Sequence, residues 1–221
     1  MLYREAMAVD RPSSDHPVEA GSAPPGLAGP RRVESLDPAP TSHHVDDPAL
    51  GGIVISEDKI RSRVAELGKQ ITADYADRPP LLVCVLKGAF VFLADLVREV
   101  RLPIEVDFMA VSSYGASTRS SGVVRIVKDL EVDLTGRHVV LVEDIVDSGL
   151  TLTYLRRNLA ARQPASLEVC ALFVRQGKQK TQEDLRYVGF EIPPAFVLGY
   201  GLDVGERFRN LPYVCAYAGD H

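Results

Sequence analysis

Short unbroken apolar runs alternate along this chain with stretches whose apolar residues recur at helical spacing. Leu81 to Leu86 and Val139 to Val142 contain no polar residue to face water, so each predicts a strand covered on both faces of a sheet. Leu152, Leu155 and Leu159 recur at turn spacing and predict a helix from about Thr151 to Ala161. An earlier helix is predicted from Ser56, a residue suited to the helix start. The acids Glu57 and Asp58 follow it, and Ile60, Val64, Leu67 and Ile71 form one apolar stripe. Lys87-Gly88-Ala89 reads as a turn, and Val91, Ala94 and Val97 as part of the buried face of the next helix.

Ile104 to Val111 predicts another strand, Ser112 to Gly122 a polar loop, and Val123 to Val127 its antiparallel return. Gly136 marks a turn, and further strands are predicted near Leu167 to Val174, Phe196 to Tyr200 and Tyr213 to Tyr217. Strands alternating with helices imply an α/β fold with a mainly parallel sheet flanked by helices.

Residues 1–50 break this pattern. They hold 8 of the 15 prolines, one aromatic residue and no periodicity that buries a face, and are expected to be a disordered tail before a single domain over 51–221. Four basic and eight acidic residues lie in that segment, which leaves 21 and 22 for the remainder. A nearly neutral folded part gives no electrostatic case for nucleic-acid or membrane partners. No stretch approaches the length of a membrane span, and the start lacks the continuous apolar core of a secretory signal. Cys84, Cys170 and Cys215 are odd in number and lie in apolar runs, which predicts buried thiols and a cytoplasmic location.

Chemistry concentrates where Val139 to Val142 gives way to Glu143-Asp144-Ile145-Val146-Asp147-Ser148-Gly149-Leu150-Thr151. Two acids and a polar turn sit between a strand and a helix, at the sheet edge where α/β proteins bind ligands. Free N–H groups at the helix start favour an anion, and carboxylates, which only accept hydrogen bonds when ionised, suit vicinal hydroxyls. A cap at Asp147 or Ser148 explains one polar residue but not the paired acids. Glu143 to Thr151 resembles the phosphoribosyl diphosphate (PRPP) signature of type I phosphoribosyltransferases at every position. The resemblance implies that Glu143 and Asp144 hold the ribose hydroxyls, and that Asp147, Ser148, Gly149, Leu150 and Thr151 hold the 5′-phosphate.

Further segments narrow the likeness. Leu86-Lys87-Gly88-Ala89-Phe90, Val111-Ser112-Ser113-Tyr114-Gly115, Ser117-Thr118 and Val188 to Asn210 fall in order and with family-like spacing, and together resemble the hypoxanthine-guanine phosphoribosyltransferase family from about Ile53 to Tyr217. The resemblance implies a small hood beside the parallel sheet. It places Lys87, Gly88 and Arg209 on pyrophosphate, with a non-proline cis peptide before the lysine. It makes Ser113 and Tyr114 the start of a closing lid, and Phe196, Val197 and Arg175 the purine site. It assigns Asp147 to accept a proton from the purine, and Asp203, with Glu143 and Asp144, to Mg²⁺.

Arg175 stands where relatives commonly have lysine, so Lys178 or Lys180 remains open for that role, as does a purely ion-paired Arg175. Leu150 replaces a lysine found in some relatives, though its backbone N–H still suits phosphate. The implied partners are PRPP, hypoxanthine and guanine, and a dimer or tetramer of the same chain. A xanthine-preferring enzyme and an RNA-binding regulator that retains the nucleotide loop are the alternative readings.

Overall fold

The computed structural model describes residues 29–33, 45–113, 124–176 and 185–219. Three helices, α1 (Glu57–Asp74), α2 (Phe90–Glu99) and α3 (Leu150–Ala160), accompany ten strands among these residues. Seven strands form the main sheet: β1 (Arg31–Arg32), β8 (Tyr187–Ile192), β7 (Ser166–Arg175), β6 (His138–Val146), β3 (Leu81–Leu86), β4 (Glu105–Ser113) and β5 (Val124–Lys128), in that spatial order. Every neighbouring pair is parallel except β4 and β5, which run antiparallel as the polar-loop pattern predicts. A second, three-stranded antiparallel sheet of β2 (Leu50–Ile55), β10 (Val214–Tyr217) and β9 (Val197–Leu198) forms the hood.

The apolar runs are divided residue by residue between two cores. Leu82, Cys84, Val140, Val142, Cys170 and Leu172 pack with Ile60, Val64, Leu67 and Ile71 of α1 and Phe92, Leu93 and Leu96 of α2. Their sequence neighbours Leu81, Val83, Val139, Leu141, Val169 and Ala171 pack on the opposite face with Leu152, Leu155 and Leu159 of α3. Alternate side chains of one strand therefore feed both layers, which is why these runs carry no polar position. Each fully buried Val or Leu contributes about 1.5–3 kcal/mol of transfer free energy. Helix α1 approaches α2 closely at Gly68, where a Cβ would lie 2.4 Å from that of Glu99.

The fully buried face of α2 is Phe92, Leu93 and Leu96; Val91 and Val97, half-buried, pack against the same core as expected, and Ala94 is exposed. Apolar residues surround most of this helix, so spacing alone offers several stripes, and the larger side chains occupy the core. Strands β2 and β8 were not predicted, because Gly51-Gly52 opens one and Gly189 and Glu191 interrupt the other. Strand β6 also runs past Val142 to Val146, so Glu143 and Asp144 lie within its carboxyl end.

Two residues of the segment expected to lack structure form an edge strand: Arg31 pairs with Phe190 and Arg32 with Glu191. The physical reason lies in Arg63, an almost wholly buried cation on α1. Its guanidinium donates to Val188 O at 2.8 Å and Gly189 O at 3.1 Å on β8, to Gly29 O at 3.1 Å, and to Glu66 Oε2 at 2.7 Å. Residues 1–28 and 34–44 lie outside the described residues. Cys84, Cys170 and Cys215 are buried free thiols. Among the described residues no helix is long and apolar enough to cross a membrane.

Candidate active site

Parallel pairing of β3 with β6, from Leu81 opposite Val139 to Cys84 opposite Val142, brings the ends of both strands to one sheet edge. There the chain leaves β3 through a cis Leu86–Lys87 peptide, the feature implied for the lysine loop. Gly88 packs directly on the Asp144 carboxylate, and a Cβ added at residue 88 would meet Asp144 Oδ2 at 1.6 Å.

A cavity of about 690 Å³ opens above this contact. It is lined by Lys87, Gly88, Glu143, Asp144, Asp147 to Gly149, Thr151, Asp203, Glu206 and Arg209, among others. The candidates for sugar, phosphate and leaving-group binding thus converge, although they come from three separate parts of the chain. Leu150, Phe196, Val197 and Arg175 do not line this space among the described residues.

One end of the cavity is built by Gly149, whose φ of 76° turns the chain from β6 into α3. Thr153 N donates to Gly149 O at 2.8 Å, while Leu150 N approaches Ser148 Oγ at 3.5 Å. The first-turn N–H groups, with the hydroxyls of Ser148 and Thr151 beside them, form a setting that favours an anion.

Burial pushes the Glu143 carboxyl well above its ordinary range, and the neighbouring Asp144 charge pushes it further. Asp144 is raised to about 6, chiefly by burial and also by the charge of Asp203. The N–H of Ile145 and the Arg209 cation act in the opposite direction. A pair of protein acids held this close gains from hydroxyl donors or a cation placed between them and the solvent.

The far wall belongs to the hood. Arg209 donates through Nη1 to Gly201 O at 2.8 Å and pairs through Nη2 with Asp203 Oδ1 at 2.7 Å and Glu206 Oε2 at 3.2 Å. The same Glu206 oxygen lies 3.1 Å from Lys87 Nζ. Among the described residues no group of three His, Cys, Asp or Glu side chains is arranged to hold a metal ion alone.

Asp147 is joined to the neighbouring region by Arg175, whose Nε stands 3.1 Å from Asp147 Oδ1 and whose Nη1 donates to Ala195 O. Next in the chain, Phe196 is exposed, with its ring edge-on to Tyr217 at 5.7 Å, and Val197 is buried in β9. Ser113 ends β4 opposite Val124. Tyr114 and the rest of the expected lid lie outside the described residues, as do Lys178 and Lys180.

Residues 56–204 match the family described as the phosphoribosyl transferase domain. The chain belongs to that family. It is 51% identical over 171 residues to the hypoxanthine-guanine phosphoribosyltransferase of Mycobacterium avium, covering 75% of this chain and 84% of that one. Against the enzyme of the same name from Bacillus subtilis the identity is 48% over 162 residues, covering 73% and 90%. A crystal structure of a Bacillus anthracis hypoxanthine-guanine phosphoribosyltransferase superposes with a TM-score of 0.72 at 40% identity, over 76% of this chain and 98% of that one. These relatives carry the oxopurine name, and neither the xanthine-preferring reading nor the regulator finds support.

One residue of this phosphoribosyltransferase cavity escaped sequence reading. Glu206 links Lys87 to Arg209, but although it lies in the Val188 to Asn210 stretch that carries the resemblance, in the sequence it is one more acid in a polar turn with nothing to mark its role.

Proposed function

We propose that this phosphoribosyltransferase acts in purine salvage, moving the 5-phosphoribosyl group of PRPP to N9 of hypoxanthine or guanine and releasing pyrophosphate. The observation that carries this reading is one cavity lined together by the acid pair Glu143 and Asp144, an anion-favouring helix start and the Lys87 and Arg209 cations. A sugar carrying a phosphate and a diphosphate requires that set of groups.

In this reading the 5′-phosphate rests on the loop from Asp147 to Thr151, and the ribose hydroxyls donate to Glu143 and Asp144. The diphosphate faces Lys87, the backbone of Gly88, and Arg209. N9 attacks C1′ from the face opposite the diphosphate, the C1′–O bond breaks with its electron pair leaving on pyrophosphate, and C1′ inverts. Positive charge develops on the ribose as that bond lengthens, so holding base and sugar in line supplies much of the rate. Asp147 accepts the proton that leaves purine N7.

Arg175 holds Asp147 and, through Ala195, the segment that presents Phe196 to the base and the Val197 backbone to its edge. Its place on the wall of the purine site is part of the proposal. Ser113 and Tyr114 begin the lid that excludes water. Asp203, with Glu143 and Asp144, would offer Mg²⁺ the carboxylate oxygens it prefers. There it would supply positive charge to balance the diphosphate leaving group.

The catalytic unit is taken as residues 51–221. Assembly as a dimer or tetramer accords with the Trypanosoma cruzi relative of TM-score 0.72 and 38% identity, for which a role of the C-terminal region in oligomeric state and activity is described. Buried free thiols accord with a cytoplasmic location. The test is pyrophosphate release from PRPP and Mg²⁺ with hypoxanthine, guanine, xanthine and adenine supplied separately. Turnover with the first two sustains the proposal, and none with any base defeats it.

A further inference from the structure

The turn from Val204 to Arg207 is a two-residue hairpin closed in both directions, Val204 N to Arg207 O at 3.2 Å and Arg207 N to Val204 O at 3.1 Å. Its central residues have φ values of 58° at Gly205 and 66° at Glu206, the double-positive pattern in which glycine and asparagine are favoured. Gly205 meets that preference and Glu206 does not. A side chain kept where the backbone disfavours one points to a role for that side chain.

The contacts indicate the role. One oxygen, Glu206 Oε2, lies 3.1 Å from Lys87 Nζ and 3.2 Å from Arg209 Nη2, and the Glu206 N–H donates to Asp203 Oδ2 at 2.9 Å. A single carboxylate thus spans a cation on the turn after β3 and a cation on the hood. The Lys87 and Glu206 side chains are 67% and 63% exposed, so this bridge is weak and exchanges readily with solvent. A diphosphate carries more charge and more acceptor oxygens than one carboxylate and displaces it.

We propose that Glu206 is a built-in stand-in for the leaving diphosphate. It holds Lys87 and Arg209 together in the ligand-free site, yields them when PRPP binds, and takes them back as pyrophosphate departs. The inference rests on the PRPP reading of the same cavity and adds to it a residue that weakens ligand binding while speeding release.

The test compares the full-length wild type with Glu206→Gln, using magnesium pyrophosphate in titration calorimetry and in stopped-flow dissociation. Binding of GMP, whose phosphate belongs at the α3 end of the cavity, serves as the control. Removing the competing charge is expected to tighten pyrophosphate binding about two- to tenfold and to slow its release, with GMP affinity unchanged. The KM for PRPP falls in parallel. Glu206→Gly suits the positive φ and gives the same tightening if charge is the cause. Unchanged or weaker pyrophosphate binding in variants that bind GMP normally overturns the inference. A wild type that binds neither pyrophosphate nor PRPP defeats the functional reading itself, and this inference falls with it.

Discussion

A methyl group at residue 88 would stand 1.6 Å from Oδ2 of Asp144, so the backbone of the turn after β3 and this carboxylate share one packed position. Gly88→Ala is therefore expected to displace either Asp144 or the loop carrying Lys87. A shift of about 1 Å at a reacting centre costs on the order of a hundredfold in rate. A fall of that size in kcat/KM for PRPP is expected, with little change in Tm because the contact lies at the cavity rather than in either core. Steady-state kinetics beside a thermal melt checks this, and an undiminished kcat/KM shows that the close packing is dispensable.

The raised acids set a pH dependence opposite to that of salt-bridged carboxylates. Asp144 is raised from 3.8 to about 6, so the folded chain holds this proton more tightly than the unfolded chain does. Between those values the folded state binds the extra proton, and stability falls as pH rises through the window. The upward shift of Glu143 acts in the same direction. The ligand-free protein is expected to melt lower at about pH 7.5 than at about pH 5 on account of these groups. Asp144→Asn flattens that dependence and abolishes the stabilisation by PRPP with Mg²⁺. Melting curves across pH, with and without the ligand, decide the matter, and an unaltered pH profile in the variant removes Asp144 from the explanation.

Most of the sheet and the ligand loop were legible because their signals are local. Val139 to Val142 could only be covered on both sides, and Glu143 to Thr151 combines acids, glycine and hydroxyls in one uninterrupted stretch. Long-range pairings were less legible. Arg63 looks like a polar residue on an amphipathic helix until β8 and Gly29 supply carbonyls for it. The Lys87–Glu206 link of the bridge to Arg209 joins residues 119 positions apart, and spacing carries no trace of it. The face of α2 was only partly legible for a different reason: Val91 and Val97 do pack on the core, but a helix apolar nearly all round leaves packing volume to choose Phe92, Leu93 and Leu96 as its fully buried side and to expose Ala94.

Asp147 and Arg175 meet at 3.1 Å, and the proposed mechanism gives the two residues separate roles. If Asp147 accepts the purine proton, Asp147→Asn loses about 10²- to 10⁴-fold in kcat, with PRPP binding largely retained because the backbone of the phosphate loop is intact. Arg175→Lys keeps the positive charge but lacks the fork that reaches both Asp147 and Ala195. It is expected to raise the KM for the purine more than that for PRPP. Pre-steady-state turnover and both KM values distinguish these outcomes. Full single-turnover rate in Asp147→Asn contradicts the proton-acceptor role.

The edge strand offers a test of fold that leaves the chemistry alone. A chain begun at residue 34 lacks the Gly29 carbonyl that accepts from Arg63, the pairing of Arg31 and Arg32 with β8, and the bond from Val33 N to Glu191 O. Leaving a buried donor without one acceptor costs about 1–3 kcal/mol. For a chain of this size that lowers Tm by roughly 2 to 10 °C relative to a chain begun at residue 29. The bared edge of β8 also presents unpaired backbone groups, so the shorter chain is expected to aggregate sooner on heating. Neither truncation touches the cavity, and kcat per folded molecule stays the same. Equal melting temperatures for the two chains would show that Arg63 is satisfied by β8 and Glu66 alone.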